Sequence, residues 1–298
     1  MPDIPFWNKC NNKCVMCTNT PGFARQPGEA YRLKSQIGKL ERYLKGLGPV
    51  YLKNSGSAEF VSLTGGEPTL HPEFFQLLAY FRRRLPGTPI TLLSNGRRFS
   101  DEKFTRKFAA AARPPFTVAV ALHGPAARVH DAVAGVPGSF TETVKGLGNL
   151  AALAPGVRLE IRLVLHKKSI KHFPGTLKFL LRNFPDTSRC LVAAIHYEIE
   201  GMSLENHAAV GLRLGASAKA LNDALPLIRR FENFRLYHFP LCLVGKELRP
   251  LCWITIPEED RVYPPGKCGG CALRDKCLGL MAEYSKMFGD EELRPVKR

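Results

Sequence analysis

Two periodicities of apolar residues alternate along the first two thirds of the chain. Short runs rich in β-branched and aromatic residues, which are typical of strands, are separated by stretches in which apolar residues recur every three or four positions, which is typical of helices. The pattern predicts strands over residues 4–7, 59–63, 89–93, 116–122, 159–165 and 190–197. It predicts helices over residues 33–47, 72–84, 101–112, 140–153, 173–183 and 208–230.

Individual residues refine two of these helices. The apolar face of the first helix is formed by Leu33, Ile37, Leu40, Leu44 and Leu47. Pro226 is expected to kink the last helix, because proline removes one backbone hydrogen bond and clashes with the preceding turn.

The repeated strand–helix unit predicts a parallel sheet with right-handed crossovers. Six units are two short of the closed eight-unit barrel, so we expect an α/β fold built as a partial (β/α)6 TIM-like barrel. The predicted domains are the barrel over residues 1–207, a bridging helix over 208–232 and a small cysteine-rich segment over 233–298.

Three cysteines lie close together near the start of the chain. Cys10, Cys14 and Cys17 have the spacing C-x3-C-x2-C. Thiolates are the ligands of iron–sulfur clusters, and three of them would hold three irons of a four-iron cubane and leave the fourth iron open to a small molecule. A zinc knuckle without its fourth ligand and a disulfide-linked loop are the alternatives, although zinc sites usually pair two such cysteine pairs.

Glycine-rich and polar residues follow the predicted strands, at the edge where parallel α/β barrels carry their active sites. After the second strand come Gly65, Gly66, Glu67 and Pro68. The two glycines permit close backbone approach to a ligand, and Glu67 offers a carboxylate to an ammonium group. The other candidates are Ser94 and Asn95 after the third strand, His123 after the fourth, and Arg162, a charge inside the fifth strand that needs a partner. Their alternatives are an ordinary Asn-Gly turn, a structural histidine, and a salt bridge of Arg162 with Glu160 or Glu198.

The cysteine spacing followed by Gly65-Gly66-Glu67-Pro68 resembles the radical S-adenosylmethionine (radical SAM) superfamily. The resemblance implies that the three cysteines bind a [4Fe–4S] cluster, that SAM chelates its open iron, and that residues 65–68 hold the SAM amine. It implies reductive cleavage of SAM to methionine and a 5′-deoxyadenosyl radical, which abstracts a hydrogen atom from a substrate. It also implies roles in binding SAM or substrate for Met16, which would pack on adenine, for Ser94, Asn95 and His123, and for Arg162, which would pair with the SAM carboxylate.

A second set of cysteines lies in the C-terminal segment. Cys268, Cys271 and Cys277 have the spacing C-x2-C-x5-C, with glycines that let a loop wrap closely around a metal site. We expect Cys242 to complete a four-thiolate shell and Cys252 to be the spare cysteine, or a competitor for that place. Four thiolates hold either a [4Fe–4S] cluster or zinc. Beside a radical SAM cluster, an auxiliary [4Fe–4S] cluster is the favoured prediction.

This segment resembles the auxiliary-cluster domains of peptide-modifying radical SAM enzymes. More narrowly, the chain resembles the C-type radical SAM maturases of His-Xaa-Ser peptide systems. The resemblance rests on the run from Asn8 to Cys14, the stretch 160–166, the turn at 198–201 with Asn206, and the cysteine-rich tail. The Cys252 region departs from that pattern. No separate domain for a leader peptide is expected ahead of Cys10, and Cys190 is expected to be a buried strand cysteine.

Charge and composition bear on partners and compartment. The net charge of +17, from 43 Lys+Arg against 26 Asp+Glu, favours anionic partners. An acidic electron donor such as a flavodoxin or ferredoxin, an acidic peptide and nucleic acid all fit, and a solvated basic surface is the alternative. Basic runs interleaved with aromatic residues, as in single-strand binders, are missing from the sequence. An odd count of nine cysteines, no signal peptide and no long apolar run predict a reduced, cytoplasmic protein without a membrane span.

The first functional hypothesis is a radical SAM enzyme that modifies a ribosomally made peptide. The alternative keeps this chemistry but acts on an RNA base, a nucleotide or another small molecule. A non-enzymatic iron–sulfur carrier does not account for the turn at residues 65–68.

Overall fold

The computed structural model describes residues 3–47, 50–51 and 60–297. The strands that it describes are β1 Asp3–Trp7, β2 Val61–Gly65, β3 Ile90–Ser94, β4 Phe116–Ala121, β5 Arg158–Leu165, β6 Cys190–His196, β7 Phe234–Tyr237, β8 Cys252–Trp253, β9 Arg261–Val262 and β10 Leu280–Met281. Strands β1 to β8 follow one another in chain order in one sheet, and β9 pairs with β10 in a separate antiparallel ribbon. The predicted strand over 59–63 is found two residues later, and residue 59 lies outside the described residues.

The α-helices connect these strands. In chain order the described helices are α1 Pro21–Arg25, α2 Leu33–Leu44, α3 Phe74–Arg84, α4 Glu102–Ala111, α5 Ala127–Ala134, α6 Ser139–Leu153, α7 Phe173–Asn183, α8 Met202–Glu205, α9 His207–Val210, α10 Leu214–Asp223, α11 Leu225–Ile228, α12 Pro265–Cys268 and α13 Ala282–Phe288. Within the described ranges, no helix combines the length and the apolar composition that crossing a membrane requires.

Contacts divide the chain into two compact units, which are described separately. The first unit comprises Met1–Lys13, Asn19–Leu122 and Ala134–Ile161, and the second comprises Cys14–Thr18, His123–Val133 and Arg162–Arg298, as far as these ranges are described. The division does not coincide with the predicted boundaries after residues 207 and 232.

The first unit is built on the parallel strands β1 to β4. Alternation along β1 buries Ile4 and Phe6 on one face. The Phe6 ring meets the ring of Phe81 on α3 edge-to-face, with centroids 5.2 Å apart, so α3 packs on the sheet through aromatic contacts. Helix α4 begins where predicted, because the Asp101 carboxylate accepts hydrogen bonds from the Lys103 and Phe104 backbone N–H groups.

Helix α2 is shorter than its apolar pattern predicts. It ends at Leu44, and both Leu44 and Leu47 are exposed instead of lying on the buried face. Gly46 takes a positive φ of 66°, and the Leu47 N–H reaches back to the Arg42 carbonyl at 2.9 Å. This left-handed glycine turn terminates the helix before the last predicted leucine can join its buried face.

The second unit contains two parallel strands that the sequence pattern did not predict. Every residue of β6 is buried, as expected for a parallel strand covered on both faces. Strand β7 pairs in parallel with β6, and β8 pairs in parallel with β7. Both additional strands come from the segment that was predicted to be a separate cysteine-rich domain.

The single helix predicted over 208–230 is wrong. The structure has three short helices there, α9, α10 and α11. Gly211 ends the first of them, and Pro226 lies in the first turn of α11 instead of kinking a longer helix. Proline is favoured in a first turn because its missing N–H has no partner there in any case.

Candidate active site

In the first unit, the turn that follows β2 is hydrogen-bonded to the backbone that leads into Cys10. The Gly66 N–H donates to the Trp7 carbonyl at 2.6 Å, and the Glu67 N–H donates to the Lys9 carbonyl at 2.7 Å. A Cβ atom on Gly66 would lie 2.3 Å from the Lys9 carbonyl oxygen, and Gly65 has a positive φ of 119°. The glycines are therefore needed for close contact with the loop that carries Cys10, here called the cysteine loop. The sequence interpretation explained them by the approach of a ligand and did not include this reason.

The Glu67 carboxylate is buried and accepts hydrogen bonds from residues that lie after β2 and at the end of β3. Its Oε1 accepts hydrogen bonds from the Thr69 N–H at 3.1 Å, the Thr69 hydroxyl at 2.6 Å and the Ser94 hydroxyl at 2.9 Å. Within the described residues, its Oε2 accepts one hydrogen bond, from the Asn95 N–H at 2.7 Å. Burial raises the pKa of Glu67, and these donors oppose that effect. Since a carboxylate has about four acceptor positions, Oε2 keeps capacity for a further donor.

Asn95 links the end of β3 to the first cysteine. Its side-chain Nδ2 lies 2.7 Å from the Asn11 Oδ1 and 3.8 Å from the Cys10 Sγ. The same sulfur accepts the Asn12 backbone N–H at 3.3 Å. N–H groups directed at a sulfur stabilise it as a thiolate, which is the form that ligates iron.

Arg97 is a site residue that the sequence interpretation missed. Its guanidinium donates from Nη1 to the Asn11 carbonyl at 2.6 Å and to the Asn12 Oδ1 at 2.8 Å, while Nε lies 2.5 Å from the Glu142 carboxylate. Arg97, in the turn after β3, is thus hydrogen-bonded to the cysteine loop. The signal for it in the sequence was its position directly after Ser94-Asn95-Gly96.

In the second unit, the stretch that carries Cys14 and Cys17 is held by other elements. The Cys17 N–H donates to the Cys14 carbonyl at 3.2 Å, which closes a turn around the half-buried Met16. The side chain of Asn206 donates to the Val15 carbonyl at 3.0 Å, and the Ser203 N–H donates to the Cys17 carbonyl at 3.3 Å. These bonds fix the backbone of the second and third cysteines.

His123 and Arg162, both predicted to lie near SAM or substrate, are also in the second unit. His123 is buried, its backbone N–H donates to the His130 ring at 3.1 Å, and its Nδ1 has no hydrogen-bond partner within the described ranges. Burial, reinforced by His130 and His166, holds the pKa of His123 well below its usual value, so the ring is neutral. The Arg162 guanidinium lies 6.0 Å from the centroid of the Tyr237 ring, and Glu198 lies 3.5 Å from His238 Nε2.

The C-terminal cysteines surround a cavity in the second unit. Cys242, Cys268, Cys271 and Cys277 all line it, together with Tyr263 and Leu293. Two backbone N–H groups, those of Leu241 and Gly279, point at the Cys277 sulfur from 3.3 Å and 3.4 Å. In the part of the chain that is described, no three His, Cys, Asp or Glu side chains are placed so that they could hold a single metal ion.

The electrostatics of these thiols suit a cationic metal group. Burial raises the pKa of Cys242 and of Cys268, and the neighbouring thiols raise both further, because thiolates repel one another. Iron ions would reverse this effect, since a coordinating thiol is deprotonated by the charge of the metal. The four-thiol donor set therefore fits a thiolate-bound metal group, either an iron–sulfur cluster or zinc.

Cys252 has a different environment. It is not among the residues that line the cavity, and its sulfur lies 3.7 Å from the Leu248 carbonyl, to which the thiol donates. Burial, with a smaller contribution from Cys277, raises the pKa of Cys252 to about 12. All nine cysteines lie within the described residues, and none forms a disulfide.

Sequence comparisons identify relatives of the chain. The radical SAM superfamily profile matches residues 4–180. The mycofactocin maturase MftC of Mycobacterium tuberculosis (strain CDC 1551 / Oshkosh) is 34% identical over 155 residues, which are 51% of this chain and 34% of that protein. The AdoMet-dependent heme synthase of Nitratidesulfovibrio vulgaris is 26% identical over 122 residues, 41% of this chain and 31% of that protein. The matches span about a third of the length of these curated relatives.

Solved structures share the fold. Streptococcus suis SuiB bound to its precursor peptide SuiA superposes with a TM-score of 0.57 at 16% identity, over 78% of this chain and 48% of that chain. The protein anSMEcpe with bound AdoMet and Cp18Cys peptide gives 0.55 at 18% identity, over 78% and 62%. The predicted partial-barrel α/β fold and the predicted superfamily resemblance are thus confirmed. Because the superfamily profile matches more than half of its length, the chain belongs to the radical SAM superfamily.

Proposed function

We propose that the chain is a radical SAM enzyme that modifies a ribosomally made peptide. The observation that carries the proposal is the backbone pairing between the loop that enters Cys10 and the turn Gly65–Pro68, because it joins a cluster ligand to a ligand-binding turn within one unit. The superfamily implies a [4Fe–4S] cluster and SAM. When bound, the cluster supplies the electron that cleaves SAM to methionine and a 5′-deoxyadenosyl radical.

We propose that different residues of the chain bind the cluster and SAM. Cys10, Cys14 and Cys17 would ligate the cluster, and the N–H groups that face the Cys10 sulfur suit a thiolate. The turn at residues 65–68 would hold the SAM amine, for which the free acceptor capacity of Glu67 Oε2 is suited. Met16 remains our candidate for packing on the adenine, and Arg162 for the SAM carboxylate. The buried, neutral His123 is better suited to a structural role than to a contact with SAM.

The peptide substrate is proposed from the relatives. MftC is named as a maturase, and SuiB and anSMEcpe were each solved with a peptide bound. The alternative, an RNA base or nucleotide, rests only on the net charge of +17 and is not favoured. The narrower likeness to the maturases of His-Xaa-Ser peptide systems stays a prediction.

The experiment that tests the peptide proposal is anaerobic incubation of the reconstituted, reduced protein with SAM and short peptides encoded beside its gene. We expect a mass change in one peptide that requires SAM. If no such peptide changes while a labelled RNA does, the peptide proposal is wrong.

We further propose that Cys242, Cys268, Cys271 and Cys277 hold a second [4Fe–4S] cluster. Support comes from the shared cavity that these four thiols line and from the position of Cys252 outside it. Four thiolate ligands would leave no iron of this cluster open, which favours electron transfer over substrate binding.

Iron content tests the second cluster. The intact protein is expected to hold about eight irons, four for each cubane. Replacing both Cys268 and Cys271 with alanine should leave about four, because half of the thiolate shell is lost. Iron and acid-labile sulfide assays measure the result, and Cys252→Ala is the control expected to keep all eight. Stoichiometric zinc in the anaerobically purified protein, or loss of iron from Cys252→Ala but not from Cys242→Ala, would contradict the assignment.

The electron donor is proposed from charge. The net charge of +17 would speed the association of the protein with an acidic flavodoxin or ferredoxin. Such donors suit the reducing cytoplasm that the nine cysteines predict. Added salt should therefore slow SAM cleavage driven by flavodoxin much more than cleavage driven by dithionite, since salt screens the steering. An equal decline of both would count against steering.

A further inference from the structure

The side-chain amide of Asn95 has a defined orientation at the end of β3. Its Oδ1 accepts the Arg97 backbone N–H at 3.0 Å, so the amino group is the end that faces the cysteine loop. That amino group has two hydrogens, and it lies 2.7 Å from the Asn11 Oδ1 and 3.8 Å from the Cys10 Sγ.

The backbone of Asn95 is held independently of this side chain. Its N–H donates to the Glu67 Oε2 at 2.7 Å, and its carbonyl accepts the Thr143 hydroxyl at 2.9 Å. Helix α6, which carries Thr143, also lies close to the same turn, because a Cβ atom on Gly146 would fall 2.1 Å from the Gly96 carbonyl. Truncation of the Asn95 side chain therefore removes the contact to sulfur while the backbone keeps its own partners.

Hydrogen bonds to ligand sulfurs help to set the reduction potential of iron–sulfur clusters. The reduced cluster carries one more negative charge than the oxidised cluster, and part of that charge resides on the thiolates. A donor at the Cys10 sulfur thus stabilises the reduced form more than the oxidised form. The Asn12 N–H, at 3.3 Å, acts on the same sulfur but belongs to the loop itself.

We propose that Asn95 is a positioning residue that raises the reduction potential of the cluster held by Cys10, Cys14 and Cys17, by donating a hydrogen bond to the Cys10 sulfur. The proposal rests on the proposed radical SAM function. It assigns the residue a role toward the cluster, in addition to the expected location near SAM or substrate.

The test is a redox titration of the reconstituted full chain followed by electron paramagnetic resonance. The signal of the N-terminal cluster is identified as the one that changes when SAM is added. Asn95→Ala is expected to shift the midpoint to a more negative potential. At the wild-type midpoint, the ratio of reduced to oxidised cluster should fall severalfold, because the hydrogen bond is present in both states and only its greater strength in the reduced state changes the ratio.

Two further variants make the test decisive. Asn95→Leu keeps roughly the size of the side chain and adds no charge but has no donor, so its midpoint should also become more negative. Asn149→Ala removes an asparagine that donates to the Phe99 carbonyl in the same unit, and its midpoint should equal that of the wild type. Wild-type midpoints in both Asn95 variants would overturn the proposal. Because the titration needs no peptide, a failure to find a modified peptide leaves its outcome unaffected.

Discussion

Replacement of Cys10, Cys14 and Cys17 by alanine is expected to abolish the formation of 5′-deoxyadenosine from SAM. The three thiolates are the proposed ligands of the cluster that supplies the electron, and no other cysteine in the sequence lies within 20 residues of the triplet. Without them the first cluster cannot assemble, so the loss of product should be complete. Chromatography of the products from the reduced, reconstituted protein measures the result.

The matched control for this variant is Cys190→Ala. Cys190 is a buried cysteine at the start of β6, and burial raises the pKa of its thiol, so it is suited to packing and not to metal binding. This control should keep SAM cleavage. Undiminished 5′-deoxyadenosine from the triple variant would contradict the assignment of the N-terminal cluster.

Gly66→Ala is expected to have the second largest effect. The new Cβ would lie 2.3 Å from the Lys9 carbonyl oxygen and 2.6 Å from its carbon, which are backbone atoms that cannot rotate away. The turn must then separate from the cysteine loop, with loss of the hydrogen bonds to Trp7 and Lys9. We expect a decrease of about 1–3 kcal/mol in the free energy of unfolding, the usual cost of overpacking, and loss of measurable SAM binding.

Gly148→Ala provides the control for this substitution. Gly148 is exposed in α6, and no atom lies within 4 Å of a Cβ placed there. Alanine should stabilise this helix by about 0.5–1 kcal/mol. Thermal unfolding and equilibrium dialysis with labelled SAM measure both variants. Wild-type SAM affinity in Gly66→Ala would show that the contact with the Lys9 carbonyl does not matter to the site.

Much of the fold follows from local patterns. The helix Phe173–Asn183 and the strands near residues 116–121 and 190–196 lie where periodicity places them, because strongly apolar segments have few alternatives. Helix α5 was missed because Ala127–Ala134 has only eight residues, too few for a clear periodic signal. Strands β7 and β8 have four and two residues, too few for a periodic signal. Only the pairing of β7 with β6 and of β8 with β7 makes them strands.

The motifs that predict the candidate site could be read from the sequence, but the contacts around them could not. The cysteine spacing and the turn at 65–68 are local in sequence, so both were found. The contact of Asn95 with Cys10 and that of Arg97 with Asn12 each join residues 85 positions apart. Such pairs depend on which strands are neighbours in the sheet, which a single sequence does not encode locally. For the same reason, only the structure showed that Glu67 is buried and that its carboxylate accepts hydrogen bonds from four donors.

The central claim, that the radical formed from SAM acts on a peptide, is tested most directly by isotope transfer. A candidate precursor peptide encoded beside the gene is synthesised with deuterium at its carbon-bound positions and incubated anaerobically with the reduced protein and SAM. Our account predicts deuterium in the 5′-deoxyadenosine together with a mass change in the peptide. Unlabelled 5′-deoxyadenosine from every such peptide, with deuterium appearing instead when a labelled RNA is supplied, would contradict it.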